Sequence, residues 1–98
     1  MSGFKGTKLA ADKVIRIGSR LEFYPEEAPE GVSSRVEEIK NGKILAAMPM
    51  NDKGVPIIPR PGEAMMGKTP GDGCFYKFST HYLDKAREGN IPVWIVTM

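Results

Sequence analysis

The residues with the greatest capacity for chemistry in this 98-residue chain are one histidine, one cysteine and two small groups of carboxylates. An acid–base site or a nucleophilic triad needs convergent titratable groups, usually including a histidine with a partner that orients it. His81 stands beside Lys77 and Ser79 on the more polar side of its segment, and no second group can be named to orient it. Cys74 lies seven positions away. On a strand an odd separation places two side chains on opposite faces, so the pair could not share a metal. A single cysteine also excludes an internal disulfide and a thiol pair for redox work.

Glu26, Glu27 and Glu30 sit in a proline-flanked loop, and Glu37 and Glu38 point to opposite faces of a strand. Solvation accounts for both groups, because general acid–base work needs carboxylates that face each other in a cleft. Gly62 and Gly71-Asp72-Gly73 precede strand-like segments rather than a helix, so turn chemistry explains them and a phosphate loop does not. These residues predict no catalytic, cofactor-binding or metal-binding site, and a protein that is not an enzyme.

Composition points the same way. Fourteen basic and twelve acidic residues leave a net charge of +2, with no run of like charge. Nucleic-acid binding draws most of its affinity from a concentrated basic footprint, and the only support for it here is Phe75 near Lys77. Met1 to Val14 lacks the apolar core of a signal peptide, and no stretch is long and apolar enough to span a bilayer. The expectation is a cytoplasmic protein with neither nucleic acid nor membrane insertion in its function.

The elements that must position these residues are short strands. Eleven glycines and eight prolines imply many turns. Residues 1–13 read as a flexible arm, and the periodic signal begins at Val14. Ile15, Ile17, Leu21 and Phe23 alternate with Arg16, Arg20, Glu22 and Tyr24, with a slip at Gly18 that suggests a bulge. After the Pro25–Gly31 loop, Val32–Lys40 and Lys43–Met48 flank Asn41-Gly42, the pair that best tolerates the two positive φ angles of a type I′ hairpin turn. Prolines demote Val55–Ile58 to an edge strand or extended segment. Glu63–Lys68 is a weak strand candidate. Cys74–Leu83 presents Tyr76, Phe78, Thr80 and Tyr82 on one face and Phe75, Lys77, Ser79 and His81 on the other.

Ile91–Met98 is an apolar strand in which Trp94 is expected to anchor the core. Met48 reads as core filling, whereas one of the adjacent Met65 and Met66 must face outward. Connections this short cannot hold crossover helices, so the sheet must be mostly antiparallel. Closure would remove its edges. The predicted fold is an all-β, split-barrel-like domain of six or seven short strands over residues 14–98. Its apolar final strand has no polar tail, which suggests a piece of something longer.

Several segments together carry a family resemblance. They are Ile17-Gly18-Ser19-Arg20-Leu21-Glu22, Ser34-Arg35-Val36-Glu37-Glu38-Ile39 and Leu45-Ala46-Ala47-Met48-Pro49-Met50, followed by Gly54-Val55-Pro56, Pro61-Gly62, Tyr76-Lys77-Phe78 and Ile91-Pro92-Val93. In this order, from about Ile15 to Met98, the chain resembles the N-terminal domain of the YcgR-like flagellar brake proteins, which precedes a PilZ domain. The resemblance implies a regulatory interaction domain acting in flagellar motility, with the PilZ domain and flagellar motor proteins as partners and recruitment to the flagellar basal body. Cyclic di-GMP would bind only with a following PilZ domain. The nucleotide motif Asp/Asn-x-Ser-x-x-Gly is absent, and Arg16-Ile17-Gly18-Ser19-Arg20 has the arginine spacing of the other motif at the wrong place in the fold. Arg35, Arg60 and Arg87 would be charged rim residues of a docking surface. The alternative is a stand-alone split barrel binding flavin or a nucleotide.

Overall fold

The computed structural model describes residues 15–71 and 73–98. It holds six antiparallel strands: β1 (Arg20–Tyr24), β2 (Val32–Lys40), β3 (Lys43–Ala47), β4 (Ala64–Pro70), β5 (Phe75–Glu88) and β6 (Ile91–Thr97). They close into one barrel in the order β1-β2-β3-β6-β5-β4. The expected all-β barrel is therefore found. The flexible arm expected over residues 1–13 lies outside the described residues. No helix among the described residues is long and apolar enough to cross a membrane.

Two long strands make closure possible. The first half of β2 pairs with β1 and its second half with β3; likewise β5 pairs first with β4 and then with β6. Each strand shifts register where it changes partner, at Val36/Glu38 and at Tyr82/Asp84. An extra residue at such a point bends a strand and raises its twist, which carries it from one wall to the next. The hairpin joining β2 to β3 turns on Asn41 (φ 49°) and Gly42 (φ 73°), as its sequence requires.

The start of the fold differs from expectation. Residues 15–19 do not continue β1. Arg16 to Ser19 form a turn in which the Ser19 N–H donates to the Arg16 carbonyl at 2.9 Å, and Ile17 is 61% exposed. The predicted bulge at Gly18 is real: Gly18 donates to the Val36 carbonyl, and Val36 donates back to Ser19, so two residues face one. With φ at 91°, Gly18 turns the chain out of the alternation that a straight strand would have kept. Val55–Ile58 is extended, contributing only a bridge between Met50 and Pro56. β5 runs five residues beyond its expected end at Leu83 because β6 gives its second half a partner.

The core gathers on Trp94, Tyr82 and Phe23, all fully buried. The Trp94 ring lies 5.4 Å from Phe23 and 5.5 Å from Tyr82, and Phe23 meets Phe78 edge-on at 6.4 Å. Phe78, Thr80 and Tyr82 face inward, while Phe75, Lys77, Ser79 and His81 face outward, as the alternation predicts. Met65 is 6% exposed and Met66 43%, and Met48 packs against the core. Thr69 and Thr80 are buried but satisfied, donating to the carbonyls of Arg20 and Thr97.

Tyr82 is the exception among the buried polar groups. Its hydroxyl has no hydrogen-bond partner among the described residues. Burial first, and then the charge of Asp84, push its phenol above the ordinary tyrosine range. In the unfolded chain the phenol ionises near pH ~10. Stability is thus fully present below that pH and is lost as pH rises toward the folded-state value. Tyr82→Phe should keep the neutral-pH melting temperature, since no bond is lost, and hold it better than the native chain between about pH 9 and about pH 11. Thermal melts across that range test this; parallel loss in both proteins would contradict it.

Candidate docking face

Closure between β1 and β4 builds the most distinctive surface of the molecule. Along each strand alternate residues point outward, and the registers align Ser33, Glu22, Lys68 and Lys77 in one row across β2, β1, β4 and β5. Arg35 faces Arg20 beside that row. Tyr24, Met66 and Ser79 form the row on its other side. Phe75, opposite Pro70 at the start of β5, is 62% exposed.

Lys68 ties the face together. Its ammonium lies 3.6 Å from Glu22 Oε1, 4.8 Å above the Phe75 ring and 5.6 Å from the Tyr24 ring. The Tyr24 hydroxyl donates to the same Glu22 oxygen at 2.7 Å. Tyr24 first, with Glu22 adding to it, holds the Lys68 ammonium above the usual lysine range against an opposing desolvation effect. Between β1, β2 and β4 lies an open recess of about 300 Å³, bounded by Arg20, Ser33, Lys68, Pro70 and Phe75.

Two like-charge pairs stand directly across neighbouring strands, Arg20 against Arg35 and Lys68 against Lys77. Such pairs destabilise a sheet. In each, one cation has a carboxylate: Arg35 meets Glu37 at 3.1 Å and Lys68 meets Glu22. Arg20 and Lys77 have no ion pair among the described residues.

The residues singled out for chemistry do not converge. His81 is exposed opposite Ala64, and its backbone N–H donates to Thr97 Oγ1 at 2.9 Å. Cys74 is exposed in the bend before β5, so strand parity does not relate it to His81 as expected. Glu26 pairs with Arg60 at 3.0 Å, while Glu27 and Glu30 line a second, acidic recess with Met50 and Asp52. Glu38 accepts the Ile39 N–H, and the register shift beside it removes the simple alternation with Glu37. Gly62 occupies a turn, whereas Asp72 is outside the described residues. No three His, Cys, Asp or Glu among the described residues are placed to hold a metal.

Of the three arginines expected at a rim, only Arg35 belongs to the face. Arg60 pairs with Glu26, and Arg87 donates to the Asn90 carbonyl at the β5–β6 turn. Sequence reading missed Arg20, Lys68 and the Tyr24–Glu22 contact as a group. Their outward parity was visible, but which strand lies beside which was not.

Residues 16–98 match the family described as "Flagellar protein YcgR". Among solved structures the chain resembles the Bacillus subtilis inhibitor of motility, MotI/DgrA, with a TM-score of 0.68 and 20% identity. The likeness covers 86% of this chain and 42% of that one, and at this identity it shows a shared fold. The chain thus spans about two fifths of that neighbour's length. No curated protein matches significantly.

Proposed function

The chain belongs to the YcgR flagellar-protein family, and on that premise we propose that it is a non-catalytic interaction domain of a cyclic di-GMP-responsive regulator of flagellar motility. The observation that carries this reading is the family match over residues 16–98, which takes in every strand of the barrel. In this reading the barrel works in the cytoplasm as a rigid platform. A PilZ domain binds the nucleotide and packs against it, and the pair engages the flagellar motor.

In this reading the nucleotide is bound outside this chain's own residues. Asp/Asn-x-Ser-x-x-Gly is absent. The spaced arginines, Arg16 and Arg20, bracket a turn whose backbone bonds go to Val36, and Arg20 begins β1. Both arginines are exposed, which supports assigning nucleotide binding to the PilZ domain. Dispersed carboxylates and an isolated histidine support a binding role over a catalytic one.

Two measurements test the reading. Calorimetric titration of the chain with cyclic di-GMP and with flavin mononucleotide should be silent, and flavin binding at micromolar affinity or tighter would overturn it. Production of the chain in a flagellated bacterium should narrow its swimming halo in soft agar. A halo equal to that of the empty-vector control would count against a role in motility.

A further inference from the structure

We propose that the outward face of β2, β1, β4 and β5, centred on Lys68 and Phe75, docks an acidic protein segment. This deepens the interaction-domain reading by naming the surface and the chemistry of its partner.

The case begins with what the fold does not need. Arg20 against Arg35 and Lys68 against Lys77 repel across adjacent strands, although a neutral β-former such as threonine would serve the sheet better at those outward positions. The four cations are met by only two carboxylates, Glu22 and Glu37, which leaves Arg20 and Lys77 uncompensated among the described residues. A partner carrying carboxylates relieves both repulsions at once.

The apolar part of the face says what kind of partner. Phe75 and Met66 are among the large hydrophobic side chains left exposed. Aromatic residues, methionine and arginine are the types enriched at protein–protein contacts. Lys68 above the Phe75 ring holds the aromatic in place beside the recess, so the anchor is pre-positioned. A polyphosphate chain fits less well, because it carries no apolar side chains to cover the exposed Phe75 and Met66. The groups that mark this face, Lys68, Lys77 and Phe75, are outward side chains rather than ladder groups, so side chains make the recognition. The face spans three strand spacings, about 14 Å, small beside a standard interface, so the contact is weak and salt-sensitive.

Fluorescence anisotropy with a labelled peptide of alternating Glu and Leu tests the proposal on the intact chain. Binding should weaken about tenfold between about 20 mM and about 150 mM salt. A control peptide with Gln for Glu should not bind. The Lys77→Glu substitution should weaken binding at least about tenfold, while raising the melting temperature by about 1–4 °C because a repulsion becomes an attraction. Phe75→Ala should weaken binding about threefold or more with the melting temperature unchanged.

Unaltered peptide binding in Lys77→Glu, or equal binding of the Gln peptide, would overturn the proposal. So would tighter binding of duplex DNA or phosphatidylserine vesicles that depends on the same residues. The soft-agar assay separates the two readings. A halo narrowed equally by native and Lys77→Glu chains removes this face but leaves the motility role, whereas peptide binding without any halo effect does the reverse.

Discussion

Trp94→Ala lowers the stability of the barrel by about 3–5 kcal/mol, the usual cost of emptying a large buried aromatic site. A domain of this size holds roughly 5–15 kcal/mol in all, so the variant should be partly unfolded near body temperature. Trp94 is fully buried between Phe23 and Tyr82, and neither neighbour can fill the space without leaving its own contacts. The indole also does a second job. Its Nε1–H donates to the Ile57 carbonyl at 2.9 Å, across 37 positions of sequence. Ile57 in turn donates its N–H to the Pro49 carbonyl and is itself buried.

This single side chain therefore pins the long β3–β4 connection to the core. Trp94→Phe separates the two roles: it keeps most of the ring packing, loses the hydrogen bond and leaves a buried carbonyl unpaired, at a cost of about 1–3 kcal/mol. Urea unfolding of the native chain and both variants gives the comparison. A loss of less than about 1 kcal/mol in Trp94→Ala would show that the core is not organised on the indole.

Gly67→Val produces the second large effect, and it acts on closure. Gly67 sits in the middle of β4, between Phe23 of β1 and Phe78 of β5. A Cβ there would come within 2.4 Å of the Phe78 ring, with two more ring carbons at 2.7 and 2.8 Å. Phe78 is buried and meets Phe23 edge-on, so its ring cannot swing aside freely. Overpacking of this kind costs about 1–3 kcal/mol, occasionally more.

The β1–β4 ladder is short, three residue pairs, and it closes the barrel. Strain placed there should open the seam between Glu22 and Lys68 before it unfolds the opposite wall. Hydrogen exchange should show β1 and β4 amides exchanging faster in Gly67→Val, while those of β3 and β6 stay protected. Uniform acceleration across all six strands would mean that closure is not the weak point. Since the docking face is assembled across this seam, acidic-peptide binding should fall in the same variant.

The comparison of these two residues shows what kind of information each level holds. The inward direction of Trp94 followed from its apolar strand, and Phe78, Thr80 and Tyr82 followed from strict alternation. The Asn41-Gly42 turn was legible because its chemistry is complete within two residues. That Met65 and Met66 must part, one to the core and one to solvent, needed only the pleat, while the structure decided that Met65 is the buried one. By contrast, nothing near Gly67 announced that a ring would cover it. The turn at Arg16–Ser19 hid inside a pattern that imitates a strand, since its outcome depends on a bond to Val36 in the next one.

The amino-acid sequence alone determined the type of structure, the inner and outer sides of most strands and the scatter of its ionisable groups, because each rests on residues within a few positions of one another. Tertiary structure alone decided that β1 meets β4, that Arg20 faces Arg35 and Lys68 faces Lys77, and that Trp94 reaches Ile57. Those are matters of register between distant segments, and register is set by how a whole barrel closes around its core, a condition no local pattern contains.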